Sequence, residues 1–181
     1  MRLFVALPLP PGVVAALDRI QRGVPGARWV PAENMHLTLR FVGDVDGADF
    51  EDLVEALAEV AVPPFNLEIA GVGHFESRQL PTLLWAGIRP SGGLKRLQAK
   101  IERACQQAGL APETRKYSPH VTLARLGATD IGRVQAFLQR YSLFEAGIVP
   151  VEGFTLYSTH LGKGDPIYRA EVEYLFDAPA E

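Results

Sequence analysis

The tetrapeptide His-Leu-Thr-Leu at residues 36–39 returns as His-Val-Thr-Leu at residues 120–123. Side chains two apart on a β-strand point to the same face, so each motif offers an imidazole beside a hydroxyl. The residues between them, Leu37 and Val121, are apolar and point to the opposite face, where a core would lie. Each motif is therefore predicted to be a strand with one face in the core and the other available for chemistry.

The elements predicted around the two motifs follow the same order. In each half a His strand precedes a helix and then two strands, and the motif histidines are 84 residues apart (120 − 36). A period this long, with only two copies, does not fit a solenoid. We expect an α+β fold: a bilobal, pseudo-twofold duplicated unit whose antiparallel sheets line a central cleft, with helices packed outside. The two His strands would face each other across that cleft.

The C-terminal part of the chain is predicted to contain two long strands, at residues 149–159 and 167–176. A glycine-rich turn lies between them. No linker or low-complexity segment separates the two halves of the sequence. We therefore expect a single bilobal domain over residues 1–181.

Composition and charge narrow the function classes. The net charge of −3 argues against bulk electrostatic binding of long duplexes. The single cysteine, Cys105, cannot build a disulfide framework or a thiolate metal site. The apolar N-terminal run breaks at Pro8, which makes it too short for a signal peptide, and no stretch reaches membrane-spanning length. The sequence predicts a soluble cytoplasmic protein.

Segments along nearly the whole chain resemble the 2H phosphoesterase superfamily, and in particular its RNA 2',3'-cyclic phosphodiesterases, also called 2'-5' RNA ligases. The resemblance implies a bilobal fold that hydrolyses a 2',3'-cyclic phosphate to a 2'-phosphate with no metal and no other cofactor. The segments that carry it are the first strand at residues 2–6, the two His motifs with their flanks at 34–43 and 115–125, the middle strand at 83–87 and the closing hairpin at 156–168.

The chemistry of the two motifs suits a phosphodiester. Opening a cyclic phosphate needs an activated water on one side of phosphorus and a proton for the leaving 3'-oxygen on the other. Histidine titrates near neutrality and can fill either role. The resemblance implies His120 as the base and His36 as the acid, while the residues alone permit the reverse. Thr38 and Thr122 can donate hydrogen bonds to the non-bridging oxygens.

Three more residues are candidates for binding the substrate. The resemblance implies that Arg125 neutralises the phosphate, but strict alternation from His120 puts it on the opposite face unless a β-bulge or the strand end redirects it. Arg40 has the same parity as His36 and is the alternative. Phe4 can either stack on a base of an RNA end or belong to the core.

Other functions fit the same two motifs. ATP-independent 2'-5' RNA ligation and 2'-5' phosphodiester cleavage would use the same acid and base, and a non-catalytic RNA-end binder would keep the scaffold without turnover. ATP-driven ligation is disfavoured because no G-x-x-x-x-G-K-[ST] loop occurs. No H-x-H or H-E-x-x-H pattern supports a zinc site. The expected partners are RNA ends with 2',3'-cyclic phosphates, such as tRNA halves, bound by a monomer that does not associate with membranes.

Two sequence features are interpreted without a catalytic role. The remaining histidines, His74 and His160, are expected to be structural or solvent-exposed. The basic residues between 95 and 103 lie on a predicted helix, where they either follow an RNA backbone or simply keep the helix soluble.

Overall fold

The computed structural model describes residues 1–177, and within them the chain forms nine β-strands, four α-helices and a short 3-10 helix at Ala32–Asn34. The helices are α1 (Pro11–Arg19), α2 (Gly47–Ala58), α3 (Gly92–Gln107) and α4 (Ile131–Arg140). The strands are β1 (Arg2–Pro8), β2 (Arg28–Trp29), β3 (His36–Asp44), β4 (Phe65–Ser77), β5 (Leu80–Ile88), β6 (His120–Arg125), β7 (Glu145–Val151), β8 (Gly153–His160) and β9 (Ile167–Leu175). Residues 178–181 of the expected domain lie outside the described range.

The strands form one antiparallel sheet in the order β7-β4-β5-β6-β3-β1-β8-β9, with β2 beside β6. We call β3-β1-β8-β9 the first lobe, and β6-β5-β4-β7 with β2 the second lobe. The two lobes meet where Leu37 of β3 pairs with Val121 of β6, which we call the joining pair. The α+β fold with duplicated units is confirmed. The expected antiparallel sheets are parts of one sheet, because the joining pair connects them.

The strand predicted at residues 149–159 is in fact two strands. A bend at Glu152 separates β7, which pairs with β4 in the second lobe, from β8, which pairs with β1 in the first lobe. A Cβ at Gly153 would lie 2.1 Å from the carbonyl oxygen of Tyr174, so glycine permits the close approach of β8 to β9. The apolar run hides this change of lobe because Val149 and Val151 at the end of β7 are buried, as are most of the residues that follow them in β8.

Each helix places an apolar stripe against the sheet. In α3 the buried residues Leu94, Leu97 and Ile101 recur at helical spacing. They lie in the same core cluster as the two residues of the joining pair. The helices therefore cover one face of the sheet, and the motif histidines lie on the opposite face, which we call the cleft face. Within residues 1–177, no helix has the length and apolar character needed to cross a membrane.

A β-bulge in β6 changes the face on which its last residues lie. The pairing with β5 passes from Thr122 to Ala124 and leaves Leu123 without a partner. Leu123 and Ala124 are both fully buried, while Arg125 is exposed. The extra residue shifts the alternation by one position, so Arg125 returns to the face that carries His120.

The strand β3 carries the matching bulge at Leu39. Phe41 is therefore 62 % exposed, whereas Arg40 turns inward and is 8 % exposed. The guanidinium of Arg40 donates to the carboxylate of Glu102 on α3 and to two backbone carbonyls. The alternation that made Arg40 a candidate for the cleft was wrong, because the bulge reverses it.

We expect Arg40→Met to lower the free energy of unfolding by about 3–5 kcal/mol, since the substitution leaves the partly buried Glu102 carboxylate without its cation. Arg89→Met is the matched control, because Arg89 is half exposed and its ion pairs with Glu68 and Glu145 should contribute about 1 kcal/mol or less. Urea unfolding of both variants measures the difference. Equal losses in the two variants would contradict a structural role for the buried pair.

Candidate active site

The joining pair sets the positions of the four polar motif residues. In an antiparallel pair the neighbours on either side lie opposite one another, so His36 lies across from Thr122 and Thr38 lies across from His120. All four side chains are partly exposed on the cleft face, while the residues between them are buried. The structure thus brings together the two motifs that are 84 residues apart in the chain.

The imidazole of His36 is held by two hydrogen bonds. Its Nδ1 lies 2.7 Å from the carbonyl oxygen of Asn34, which can only accept, so Nδ1 carries the proton. Its Nε2 lies 3.0 Å from Oγ1 of Thr38. Burial lowers the pKa of His36, the hydrogen bond to Asn34 opposes that change, and the nearby charge of His120 lowers the pKa further. The neutral ring is therefore favoured in the free protein.

His120 shares the first of these two contacts. Its Nδ1 lies 2.7 Å from the carbonyl oxygen of Ser118, again two residues before the histidine. The Nδ1 proton is directed to the backbone, so Nε2 is the nitrogen left for chemistry in both rings. The ring of Phe75 meets His120 edge-on, with the centroids 4.9 Å apart.

Asn34 anchors the short 3-10 helix that precedes His36. Its side-chain amide is buried and donates to the carbonyl oxygen of Pro166, 2.9 Å away. Since Pro166 leads into β9, this bond also holds His36 against Tyr168, whose ring centroid lies 5.3 Å from that of His36. Sequence reasoning missed the roles of Asn34 and Tyr168, because the hairpin lies far from the first motif in the chain and gives no local signal of the contact.

Phe4 lies beneath His36 in the first lobe. The two ring centroids are 4.9 Å apart, and the rings of Tyr157 and Tyr168 cover much of the rest of Phe4. Phe4 is only 3 % exposed, so it supports the imidazole and offers little surface to a base. Of the two alternatives for Phe4, the packing favours the core residue.

The loop before β6 is fastened to the back of β3. The hydroxyl of Tyr117 donates to the carbonyl oxygen of Thr38 at 2.8 Å, and burial raises the pKa of Tyr117, which keeps the donor protonated. Arg40 donates to the carbonyl oxygen of Ala111 at 2.7 Å. These bonds reach across the lobes and help to hold His120 at its position relative to the first motif.

Arg125 lies within electrostatic range of the first lobe. Burial raises the pKa of Tyr168, and the positive charge of Arg125 acts in the opposite direction. Because the bulge turns Arg125 to the cleft face, its side chain lies on the same side of the sheet as the four polar motif residues.

The residues interpreted without a catalytic role have other partners. His74 pairs with Glu76 at 2.7 Å, and His160 bonds to the buried Ser158 at 2.9 Å. The basic residues of α3 lie on the helix side of the sheet, away from the cleft face. Among residues 1–177, no group of three or more His, Cys, Asp and Glu side chains is arranged to hold a metal ion.

The model of the LigT-like phosphoesterase family matches residues 7–85 and 88–168. The chain belongs to this family. The two matched segments each contain one H-x-T motif, which agrees with the duplicated fold. Membership in the family confirms the resemblance and the expectation of a phosphodiesterase.

Relatives and solved structures agree with this assignment. The RNA 2',3'-cyclic phosphodiesterase of Aeropyrum pernix is 34% identical over 153 residues, which cover 83% of this chain and 86% of that protein. A crystal structure of a Thermus thermophilus protein has a TM-score of 0.82 at 26% identity and covers 99% of this chain and 100% of its own. E. coli LigT complexed with 3'-AMP has a TM-score of 0.81 at 26% identity, with 97% of each chain covered.

We expect His36 to titrate below its ordinary pKa of 6.5 in the folded protein, and His120→Gln to raise that midpoint by removing a nearby positive charge. The unfolded chain then holds the proton more tightly than the folded one. The stability that neutral His36 contributes is present above pH 6.5 and is lost as the pH falls through the lower folded value. Proton–carbon NMR of the imidazole Cε1 group gives the midpoint. A midpoint above 6.5 in the wild type would contradict the effect of burial.

Proposed function

We propose that this protein hydrolyses 2',3'-cyclic phosphates at RNA ends to 2'-phosphates, without a metal, and that His36 and His120 are its acid–base pair. The observation that supports this most is the register at the joining pair, which sets one His–Thr set on each side of a single cleft. The names of the curated relatives point to the same substrate class. We further propose that the chain acts as one domain and as a monomer.

The reaction needs one proton removed and one delivered. One imidazole takes a proton from water through its free Nε2, and the oxygen of that water attacks phosphorus. The P–O3' bond breaks, and the second imidazole, in its protonated form, gives its proton to O3'. The phosphate stays on the 2'-oxygen as a monoester. Imidazoles contributed by opposite strands of the joining pair suit this in-line arrangement of attacking and leaving oxygens.

We assign His120 as the base and His36 as the acid. The free protein favours neutral His36, but a bound phosphodiester anion raises the pKa of a neighbouring imidazole and so supplies the protonated acid when substrate is present. A cavity of about 390 Å³ opens beside His36, with Tyr157 and Tyr168 in its wall. The nucleoside that carries the leaving 3'-oxygen would lie on the side of the acid, and this cavity offers it apolar and aromatic contacts.

The hydroxyls and the arginine balance the developing charge. Thr38 and Thr122 would donate to the two non-bridging oxygens, one from each lobe. In the free protein the Thr38 hydroxyl can donate to the neutral Nε2 of His36; protonation of that nitrogen frees the hydroxyl for the phosphate. Arg125 would neutralise the anion from the second lobe.

We expect wild-type protein in EDTA to convert an RNA oligomer with a 2',3'-cyclic phosphate to the 2'-phosphate, and His36→Ala and His120→Ala each to lower kcat by about 10²–10⁴-fold. The double variant should lose little more than either single variant, because the two groups act as a unit. Chromatography that separates 2'- from 3'-phosphate ends measures product and rate.

His74→Ala is the matched control, since it removes a histidine whose partner is the nearby Glu76 and should keep nearly full rate. Binding without turnover by the wild type would favour an RNA-end binder. A strict metal requirement would overturn the proposed chemistry. Faster turnover of a 2'-5' dinucleotide would favour the 2'-5' phosphodiesterase, and joining of two RNA ends without ATP would favour the ligase.

A substrate with sulfur at the 3'-position distinguishes the acid from the base. A thiolate leaves without prior protonation, so the variant that lacks the acid should regain rate on a 2',3'-cyclic 3'-phosphorothiolate. We expect His36→Ala to recover about 10-fold or more relative to its rate on the oxygen substrate, and His120→Ala not to recover. Recovery by His120→Ala alone would reverse the two roles.

A further inference from the structure

A second arginine lies beside Arg125 on the sheet. The short strand β2 pairs with the end of β6 so that Arg28 lies directly opposite Arg125. Directly opposed residues of an antiparallel pair share a face, with their Cβ atoms about 4.5–5.5 Å apart. Like charges on directly opposed residues repel each other, and both side chains are exposed. The strand pair thus carries an electrostatic cost that a bound anion would relieve.

The neighbours of this pair identify the face it occupies. Next to it, Trp29 lies opposite Ala124. Ala124 is fully buried, and Trp29 packs on Phe137 of α4 with the ring centroids 5.8 Å apart. These two residues therefore face the helices. By alternation Arg28 points to the other side of the sheet, which is the cleft face.

Within residues 1–177, neither Arg28 nor Arg125 forms an ion pair with a carboxylate. Three other arginines do. Arg40 pairs with Glu102, Arg89 with Glu68 and Arg115 with Glu113. An arginine pair without a carboxylate on the face of an anion-cleaving site is suited to bind a phosphate.

The position of Arg28 separates it from the reacting phosphate. The strand β2 and the strand β3 pair with the same edge of β6: Arg28 is opposite residue 125, and His36 is across from residue 122. Positions 122 and 125 are three residues apart along β6, a distance of at most roughly 10 Å. An anion held at Arg28 is therefore a neighbour of the phosphate that the histidines would cleave.

We infer that Arg28, together with Arg125, forms a second phosphate subsite, which takes the phosphodiester next to the terminal nucleotide of an RNA chain. The inference rests on the proposed function and adds the reason why a chain end would be preferred to a mononucleotide. Arg125 stands between the two phosphates, and Arg28 contacts only the outer one. A nucleoside cyclic phosphate has no group for Arg28, whereas a dinucleotide with a cyclic phosphate has one.

The test compares Arg28→Gln with wild type on a nucleoside 2',3'-cyclic phosphate and on a dinucleotide that ends in a 2',3'-cyclic phosphate. We expect kcat/KM for the dinucleotide to fall about 10-fold or more, through KM, because a charge-assisted contact is lost. The value for the nucleoside substrate should stay within about twofold, since it has no second phosphate. Arg28→Lys should recover part of the loss, and the salt dependence of dinucleotide binding should weaken by about one phosphate contact in Arg28→Gln.

Arg133→Gln is the charge-matched control, because Arg133 is exposed on α4 on the helix side of the sheet, and it should change neither substrate. Equal losses on both substrates, or no loss on the dinucleotide, would overturn the subsite. Failure of wild type to cleave either substrate would overturn the proposed function instead. Calorimetric binding of a nucleoside 2'-phosphate and of a dinucleotide with a 2'-phosphate end tests the subsite even then: Arg28→Gln should weaken only the second.

Discussion

The pairing of Leu37 with Val121 is the contact on which the candidate site depends. It is the single ladder pair between β3 and β6, and beyond it the two strands diverge. A longer ladder would keep β3 and β6 side by side and close the space between the lobes. Without the pair, nothing would fix the position of one histidine relative to the other. The apolar core beneath the pair and the bonds from Tyr117 and Arg40 hold this brief contact in place.

The two H-x-T strands have matching bulges but carry different side chains after them. After each H-x-T motif one extra residue reverses the alternation, so equivalent positions on the cleft face hold Phe41 in the first lobe and Arg125 in the second. The inward positions hold Arg40 and Ala124. A nearly symmetric backbone thus presents an aromatic, apolar side and a cationic side. This asymmetry suits the RNA end proposed as the substrate, which has an aromatic base and an anionic phosphate.

The histidines share one hydrogen-bonding scheme in different surroundings. Both direct Nδ1 to a backbone carbonyl two residues upstream, so that Nε2 is the nitrogen that faces the cleft, where that of His36 bonds to the Thr38 hydroxyl. His36 is enclosed by Phe4 and Tyr168, and its burial lowers its pKa. The duplicated motif supplies the two imidazoles, and their neighbours differ, since His36 lies between Phe4 and Tyr168 whereas Phe75 meets His120.

The sequence by itself determined the two His strands, their core and cleft faces, the helices that cover them and the α+β duplication, because alternation and helical spacing are local properties of the chain. It did not reveal that residues 149–159 divide between the lobes, that Arg40 is buried, or that Arg28 lies beside Arg125. Those facts depend on which strand pairs with which and on the unpaired residue that follows each H-x-T motif. Register is set by contacts between residues far apart in the chain, so only the tertiary structure decided them.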